Sequence, residues 1–171
     1  MLEEQVFDPK HHDRSRFRCG EPSLDDFLHR YAAQQRAKGL SSIFVLVDTD
    51  APRTILGFYT LSAAHIEAVQ LRDAERKVLP RYPIPCIRMG RLACSVEVQG
   101  RGIGAMLMGL AVGRCLQIKN QVGAYALLVD AKHDAAKSFY LHYGFTACAD
   151  MSMTLYLPLG ASVGSVGVTP A

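Results

Sequence analysis

The sequence predicts an α/β (α+β) chain in which an opening helix and hairpin lead into alternating strands and helices. Three observations predict it: two branched and aromatic runs flanking a proline turn at 42–66, a strand, glycine turn and helix at 84–119, and a strand, helix and strand at 125–157. With 171 residues, these elements fit one domain of ordinary size, predicted at 1–159. Hydrophobic residues make up 49% and charged residues 20%, which excludes a disordered, collagen-like or coiled-coil chain. Lysine and arginine number 19 against 16 acidic residues, a net charge of +3 that permits a local basic surface without demanding one.

Each element has a local reason. Leu24, Phe27, Leu28, Tyr31 and Ala32 form an i, i+3, i+4, i+7, i+8 stripe behind Ser23, with Asp25 and Asp26 in the first turn and Gly39 beyond the end; this predicts a helix over 23–37. The runs 42–47 and 54–66 predict two strands joined by a hairpin through 48–53. From Glu67 to Arg81 the chain is charged and helix-compatible up to Pro80, and a strand is predicted from Ile84 to Cys94. After the glycine turn, Ile103, Met106, Leu107, Leu110, Ala111 and Ile118 mark the apolar face of a helix reaching about Lys119. A strand at 125–129, a helix at 134–143 closed by Gly144, and a last strand at 151–157 complete the order.

The residues 160–171 carry no charge and are mostly small, a composition that predicts a flexible C-terminal tail. The five cysteines are odd in number and lack any CxxC spacing, so neither a disulfide framework nor a metal site is expected. The acidic start MLEEQVFD is unlike a signal peptide, and the uncharged stretch Gly102–Gly113 is too short to span a bilayer. A cytoplasmic protein with no membrane partner is the expectation.

The turn Gln99-Gly100-Arg101-Gly102-Ile103-Gly104-Ala105 opens a helix, where consecutive backbone N–H groups and the helix dipole favour a pyrophosphate. Glycine at these positions removes side chains from the path of the phosphate oxygens and permits positive φ. On paper the turn satisfies both G-x-G-x-x-A of dinucleotide folds and Q-x-x-G-x-G. Position decides between them: too little chain follows Gly100 for a dinucleotide domain, and the nearest acidic candidate, Asp130, stands too far on. No Lys-Ser or Lys-Thr closes a Walker loop. A turn that merely connects strand to helix is the bland alternative.

Three separated segments now carry a resemblance: GRLACSVEVQGRGIG at 90–104, LLVDAKHDAAKSFYLHYGF at 127–145, and CGEPSLDDFL at 19–28. Together they resemble the GNAT acetyltransferase superfamily, and more narrowly the GNAT toxins of type II toxin-antitoxin modules, over most of the chain. The resemblance implies a central mixed, mostly antiparallel sheet with a splayed strand pair and flanking helices. It implies acetyl-CoA as cosubstrate, with Leu92, Ala93, Cys94, Gln99, Gly100, Arg101, Gly102, Ile103, Gly104, Ala105, Ala136 and Phe139 around it and no metal. The backbone N–H groups near Ala93 and Cys94 would polarise the thioester carbonyl, and Tyr140 would protonate the departing sulfur, with Tyr143 as the fallback acid. One departure is local: these toxins frequently carry an Asp after LAV, where this chain has Leu92-Ala93-Cys94-Ser95, which bears on the size of the acetyl pocket.

No residue is placed obviously as a general base, although Glu97 and His133 are available. An α-amine, with a pKa of about 7.7 to 8.0, needs less help to lose its proton than a lysine at about 10.4. The toxins acetylate the α-amine of aminoacyl-tRNA and so block translation. For such a polyanion, Arg36, Lys38, Arg76, Lys77, Arg81 and Arg91, together with Arg72 and Arg88, are candidates for a basic rim; a solvated helix face interleaved with Asp73 and Glu75 is the alternative. The resemblance further implies a cognate antitoxin, commonly of ribbon-helix-helix type, and a homodimer. Two other functions compete: a GNAT enzyme acting on a small amine or a protein N-terminus, and a non-catalytic acetyl-CoA-binding module.

Overall fold

The computed structural model describes residues 1–160, so all but the first residue of the tail expected at 160–171 lies outside the described residues. It bears out the α/β class, with a mixed sheet of seven strands among the described residues in the order β1-β2-β3-β4-β5-β7-β6. The chain divides into two compact units, one built from Met1–Ser62 and Gly90–Ala111, the other from Ala63–Met89 and the chain from Val112 on.

In the first unit, β1 (Leu2–Val6) lies antiparallel to β2 (Ser42–Asp48), which lies antiparallel to β3 (Gly57–Ile66). The alternation of β2 sends Ile43, Val45 and Val47 into a core with Phe17, Leu24, Phe27, Leu28 and Phe58. Phe58 is the hub, with the Phe17 ring at 5.5 Å and the Phe27 ring stacked at 6.1 Å. β1 was not expected, because LEEQV is half polar and lacks flanking turn residues. It forms because β2 offers an open edge and because its polar groups find partners: the Tyr59 hydroxyl donates to Glu4, and Gln5 Oε1 lies 2.9 Å from His12 Nε2.

The opening helix departs from a single helix over 23–37. It starts earlier, with α1 (Pro22–Asp26) placing proline in its first turn, passes through a widened π turn at Phe27–Tyr31, and resumes as α2 (Ala32–Ala37). Because the Ala32 N–H reaches back to the Phe27 carbonyl, one extra residue enters the turn. Ala32 is fully buried while Tyr31, predicted on the same stripe, is half exposed.

In the second unit, β5 (Ala126–Asp130) pairs antiparallel with β7 (Thr154–Pro158), and the two-residue β6 (Thr146–Ala147) pairs antiparallel with β7. The stretch Cys86–Met89 of β4 (Ile84–Cys94) pairs parallel with Ala126–Val129 of β5. Ile66, Leu71, Ile84, Cys86, Leu128, Cys148 and Tyr156 form this core. The connector at 67–81 holds only a single 3-10 turn at Ala68–Gln70 and the four-residue α3 (Asp73–Arg76). It lacks the apolar stripe that docks a longer helix, and a short helix without one is not self-supporting. The remaining helices are α4 (Ile103–Ile118) and α5 (Asp134–His142), close to their predicted spans. Among the described residues, no helix is long and apolar enough to cross a membrane.

Candidate active site

The first unit holds the glycine turn and the end of β4. Gly100 and Gly102 take φ of +80° and +77°, alternating with Arg101, before the chain enters α4. That alternation of left-handed and ordinary conformations is the backbone of an anion nest. Gly102 caps α4, its carbonyl accepting from the Met106 N–H at 3.0 Å, so Ile103, Gly104 and Ala105 have no intrahelical acceptors for their N–H groups. A Cβ placed on Gly100 or Gly102 would meet nothing within 4 Å. This open cradle of donors at the start of a 16-residue helix fits a pyrophosphate.

Gln99 secures the cradle rather than lining it with its amide alone: Nε2 donates to the Cys19 carbonyl at 2.8 Å and to the Cys94 carbonyl at 3.2 Å. The N-terminal CGEPSLDDFL segment is thus fastened to the glycine turn. Further bonds run from Ser95 N–H to Leu56 O and from Val96 N–H to Arg18 O, both at 2.8 Å. Ala93 is buried, whereas Leu92 and Cys94 are half-buried, and burial raises the Cys94 thiol above its ordinary pKa.

Gly57 belongs to this site although nothing in the sequence singles it out. A Cβ there would lie 3.0 Å from the Ala93 carbonyl oxygen and 2.7 Å from a Leu107 methyl, so only glycine lets β3, the end of β4 and α4 close up. Gly57→Val is expected to cost about 1–3 kcal/mol in stability, the scale of overpacking. Urea unfolding checks this, and a stability equal to wild type would show that the Ala93 strand end yields freely.

The parallel ladder of β4 with β5 stops at Met89↔Val129, while β4 itself continues to Cys94.

In the second unit, α5 carries Tyr140. Its N-cap is His133, whose Nδ1 accepts from the Ala136 N–H at 3.1 Å, so the histidine weighed as a base serves as a cap. The Tyr140 ring packs against Phe139 at 5.5 Å and Phe145 at 5.4 Å, and the residue is 7% exposed. Burial, reinforced by the Asp130 carboxylate, pushes its phenol up to about 12. Tyr140 is therefore a neutral O–H at every physiological pH. Tyr143, the alternative acid, is exposed and packs edge-on against Phe139. Asp130 is held on both oxygens, accepting from Arg88 and, at 2.9 Å, from the Thr154 hydroxyl. Arg88, considered for a basic rim, is thereby engaged.

The remaining basic candidates fall in both units. Arg36 and Lys38 at the end of α2 are exposed. Arg91 instead lays its guanidinium 3.7 Å from the centroid of the buried Phe27 ring, a cation–π contact that spends it on packing. In the second unit Arg72, Lys77 and Arg81 are exposed, and Arg76 pairs with Asp73 at 2.5 Å. Glu97 is exposed on the 3-10 turn after β4. Among the described residues, no group of three or more His, Cys, Asp or Glu side chains is arranged to hold a metal.

A glycine nest at the head of a 16-residue helix suits the pyrophosphate of an acyl-CoA cosubstrate. The chain belongs to the acetyltransferase (GNAT) family, whose domain matches residues 39–147. Its sequence is 38% identical over 133 residues to the tRNA-acetylating toxin of Mycobacterium tuberculosis (strain ATCC 25618 / H37Rv), covering 78% of each chain. AtaT complexed with acetyl-methionyl-tRNAfMet matches with a TM-score of 0.87 and 28% identity, over 92% of this chain and 95% of that one. A tyrosine-to-phenylalanine mutant of AtaT, bound to the C-terminus of the antitoxin AtaR and acetyl-CoA, matches with a TM-score of 0.78 and 28% identity, over 93% and 94%.

Proposed function

We propose that this acetyltransferase moves the acetyl group of acetyl-CoA onto the α-amine of an aminoacyl-tRNA, acting as a translation-blocking toxin restrained by a cognate antitoxin. The observation that carries the choice of acceptor is the 38% identity to a tRNA-acetylating toxin across 78% of the chain. The likeness to AtaT, solved with acetyl-methionyl-tRNAfMet and with an antitoxin segment, supports both the acceptor and the restraint. A ribbon-helix-helix antitoxin, a homodimer and a cytoplasmic setting complete the reading.

Bound acetyl-CoA supplies an acetyl group on a thioester and leaves as a thiolate. The N–H groups of Ile103, Gly104 and Ala105, with the loop from Gln99 to Gly102, take the pyrophosphate; Leu92, Ala93 and Cys94 line the acetyl end, where backbone N–H groups polarise the carbonyl. Ala136 and Phe139 on α5 flank the same ligand beside Tyr140. Overall one amine proton goes to the sulfur. A phenol at about 12 facing a thiol near 8.5 makes a free transfer about 5 kcal/mol uphill. Tyr140 therefore acts as a strong hydrogen-bond donor to the sulfur, and any proton it passes on is replaced by the surplus proton that the amine releases, so the phenol is restored. Arg36, Lys38, Arg76, Lys77 and Arg81 meet the phosphates of the acceptor.

This assignment fixes the pH profile. The rising limb of kcat/KM should follow the acceptor's own α-amine, at about 7.7 to 8.0. Because Tyr140 loses its proton only near 12, no falling limb is expected up to pH 10.5. In initial rates corrected for hydrolysis of the aminoacyl ester, a decline between pH 9 and 10.5 would point to a different acid with an ordinary phenol pKa.

Cell-free translation tests the function. Arrest that requires acetyl-CoA, with N-acetylated amino acids released from the tRNA pool on mass analysis, is the expected result. Uninhibited translation alongside acetylation of free amines or peptides would move the acceptor to a small amine or a protein N-terminus. Acetyl-CoA binding without turnover on any acceptor would leave a binding module.

A further inference from the structure

α3 is only four residues long, and its cap residue Arg72 makes no side-chain cap bond. An acceptor for the Arg72 N–H, the other half of a capping box, comes from a distant strand. The hydroxyl of Tyr156, on β7 and wholly buried, accepts from the Arg72 N–H at 3.3 Å and donates to Glu75 Oε2 at 2.6 Å. Glu75 is the third residue of the helix, the position from which a capping-box carboxylate ordinarily reaches the cap N–H directly. Here a phenol from 81 residues away stands between the two groups and ties both to the sheet. The preceding turn is fastened to the same region, since the Ala149 N–H donates to the Gln70 carbonyl at 3.0 Å. Tyr156 is itself fixed opposite Leu128 in the β5–β7 ladder.

The segment held in this way exposes Arg72, Arg76, Lys77 and Arg81 to solvent. Four cations on a loop that frays would each have to be ordered when a polyanion binds, which weakens every contact. On a clamped turn they present a fixed charge pattern. We infer that Tyr156 and Glu75 are positioning residues for nucleic-acid binding, fixing the direction in which Arg72, Arg76 and Lys77 meet the phosphates of the acceptor. The inference rests on the tRNA reading and adds to it a group that touches neither substrate.

Steady-state kinetics with aminoacyl-tRNA, and tRNA binding over a salt series, test it with Tyr156→Phe, Glu75→Ala and Glu75→Gln. Tyr156→Phe and Glu75→Ala are expected to raise the KM for aminoacyl-tRNA about fivefold to tenfold, the scale of one ordinary intramolecular hydrogen bond. They should also flatten the dependence of log affinity on log salt, because fewer phosphates are met at once. The kcat and the KM for acetyl-CoA should stay within about twofold of wild type. Glu75→Gln keeps an acceptor oxygen for the phenol and should restore most of the affinity. A merely structural role would move kcat and both KM values together and leave the salt slope alone. Should Tyr156→Phe fail to fold, Glu75→Ala breaks the same bridge from its solvent side. Wild-type tRNA affinity and salt slope in Tyr156→Phe and Glu75→Ala would overturn the inference. The charge reversal Arg76→Glu with Lys77→Glu separates it from the parent reading: lost binding there with intact binding in the bridge variants sinks the bridge alone, whereas intact binding there removes α3 from the tRNA surface and the inference with it.

Discussion

Replacing Tyr140 by phenylalanine is expected to lower acetyl transfer by about two to four orders of magnitude, the range for loss of a positioned acid. The substitution deletes one oxygen and keeps the ring, so the contacts with Phe139 and Phe145 survive and α5 stays packed. Acetyl-CoA affinity, measured by calorimetry, should stay within about twofold, because the nest at Gly100 to Ala105 is untouched. A fall in kcat with an unchanged dissociation constant is thus the signature of Tyr140. Undiminished turnover would exclude it, and Tyr143 would become the next group to test.

The second large effect belongs to the glycine turn. Gly100→Val with Gly102→Val asks two L-residues to adopt φ near +80°, at about 1–2 kcal/mol each and more for a β-branched side chain. Nothing crowds either position, so the penalty is purely conformational and falls on the geometry that aims the N–H groups. We expect the KM for acetyl-CoA to rise at least tenfold, at about 1.4 kcal/mol per decade. Gly109→Ala is the matched control. It adds a methyl inside α4, where nothing lies within 4 Å, and should raise stability by about 0.5–1 kcal/mol without altering the KM. Equal KM values in the double variant and wild type would take the pyrophosphate away from this turn.

What the sequence disclosed was local. The apolar faces of α4 and α5, the buried run of β5 and the glycine turn each show in consecutive residues, because periodicity and φ preference act over a few positions. Features made by tertiary contact left no such trace. β1 is stabilised by the edge of β2 and by Tyr59, 55 residues from Glu4. Gly57 matters only because Ala93 and Leu107 close on it, and Arg91 turns from a candidate phosphate contact into a partner for Phe27. The bond between Tyr156 and Glu75 joins a strand to a short helix inside what the chain pattern shows only as a charged, helix-compatible connector. His133 illustrates the same lesson for chemistry, since a residue type suited to catalysis serves here to cap a helix.

The cysteines have a practical consequence. Cys19 and Cys86 are pushed up to about 11, Cys148 likewise, and Cys115 to about 12, and all four are buried. At pH 8 about one in a thousand of these thiols, or fewer, is ionised, and their burial slows reaction with reagents. Cys94 alone is half-buried, at the strand end whose carbonyl Gln99 holds. The native chain therefore carries a single reporter for slow thiol labelling, set where the acetyl group is proposed to sit. Protection of that one sulfur by acetyl-CoA would make occupancy of the site measurable by intact mass, with no engineered probe.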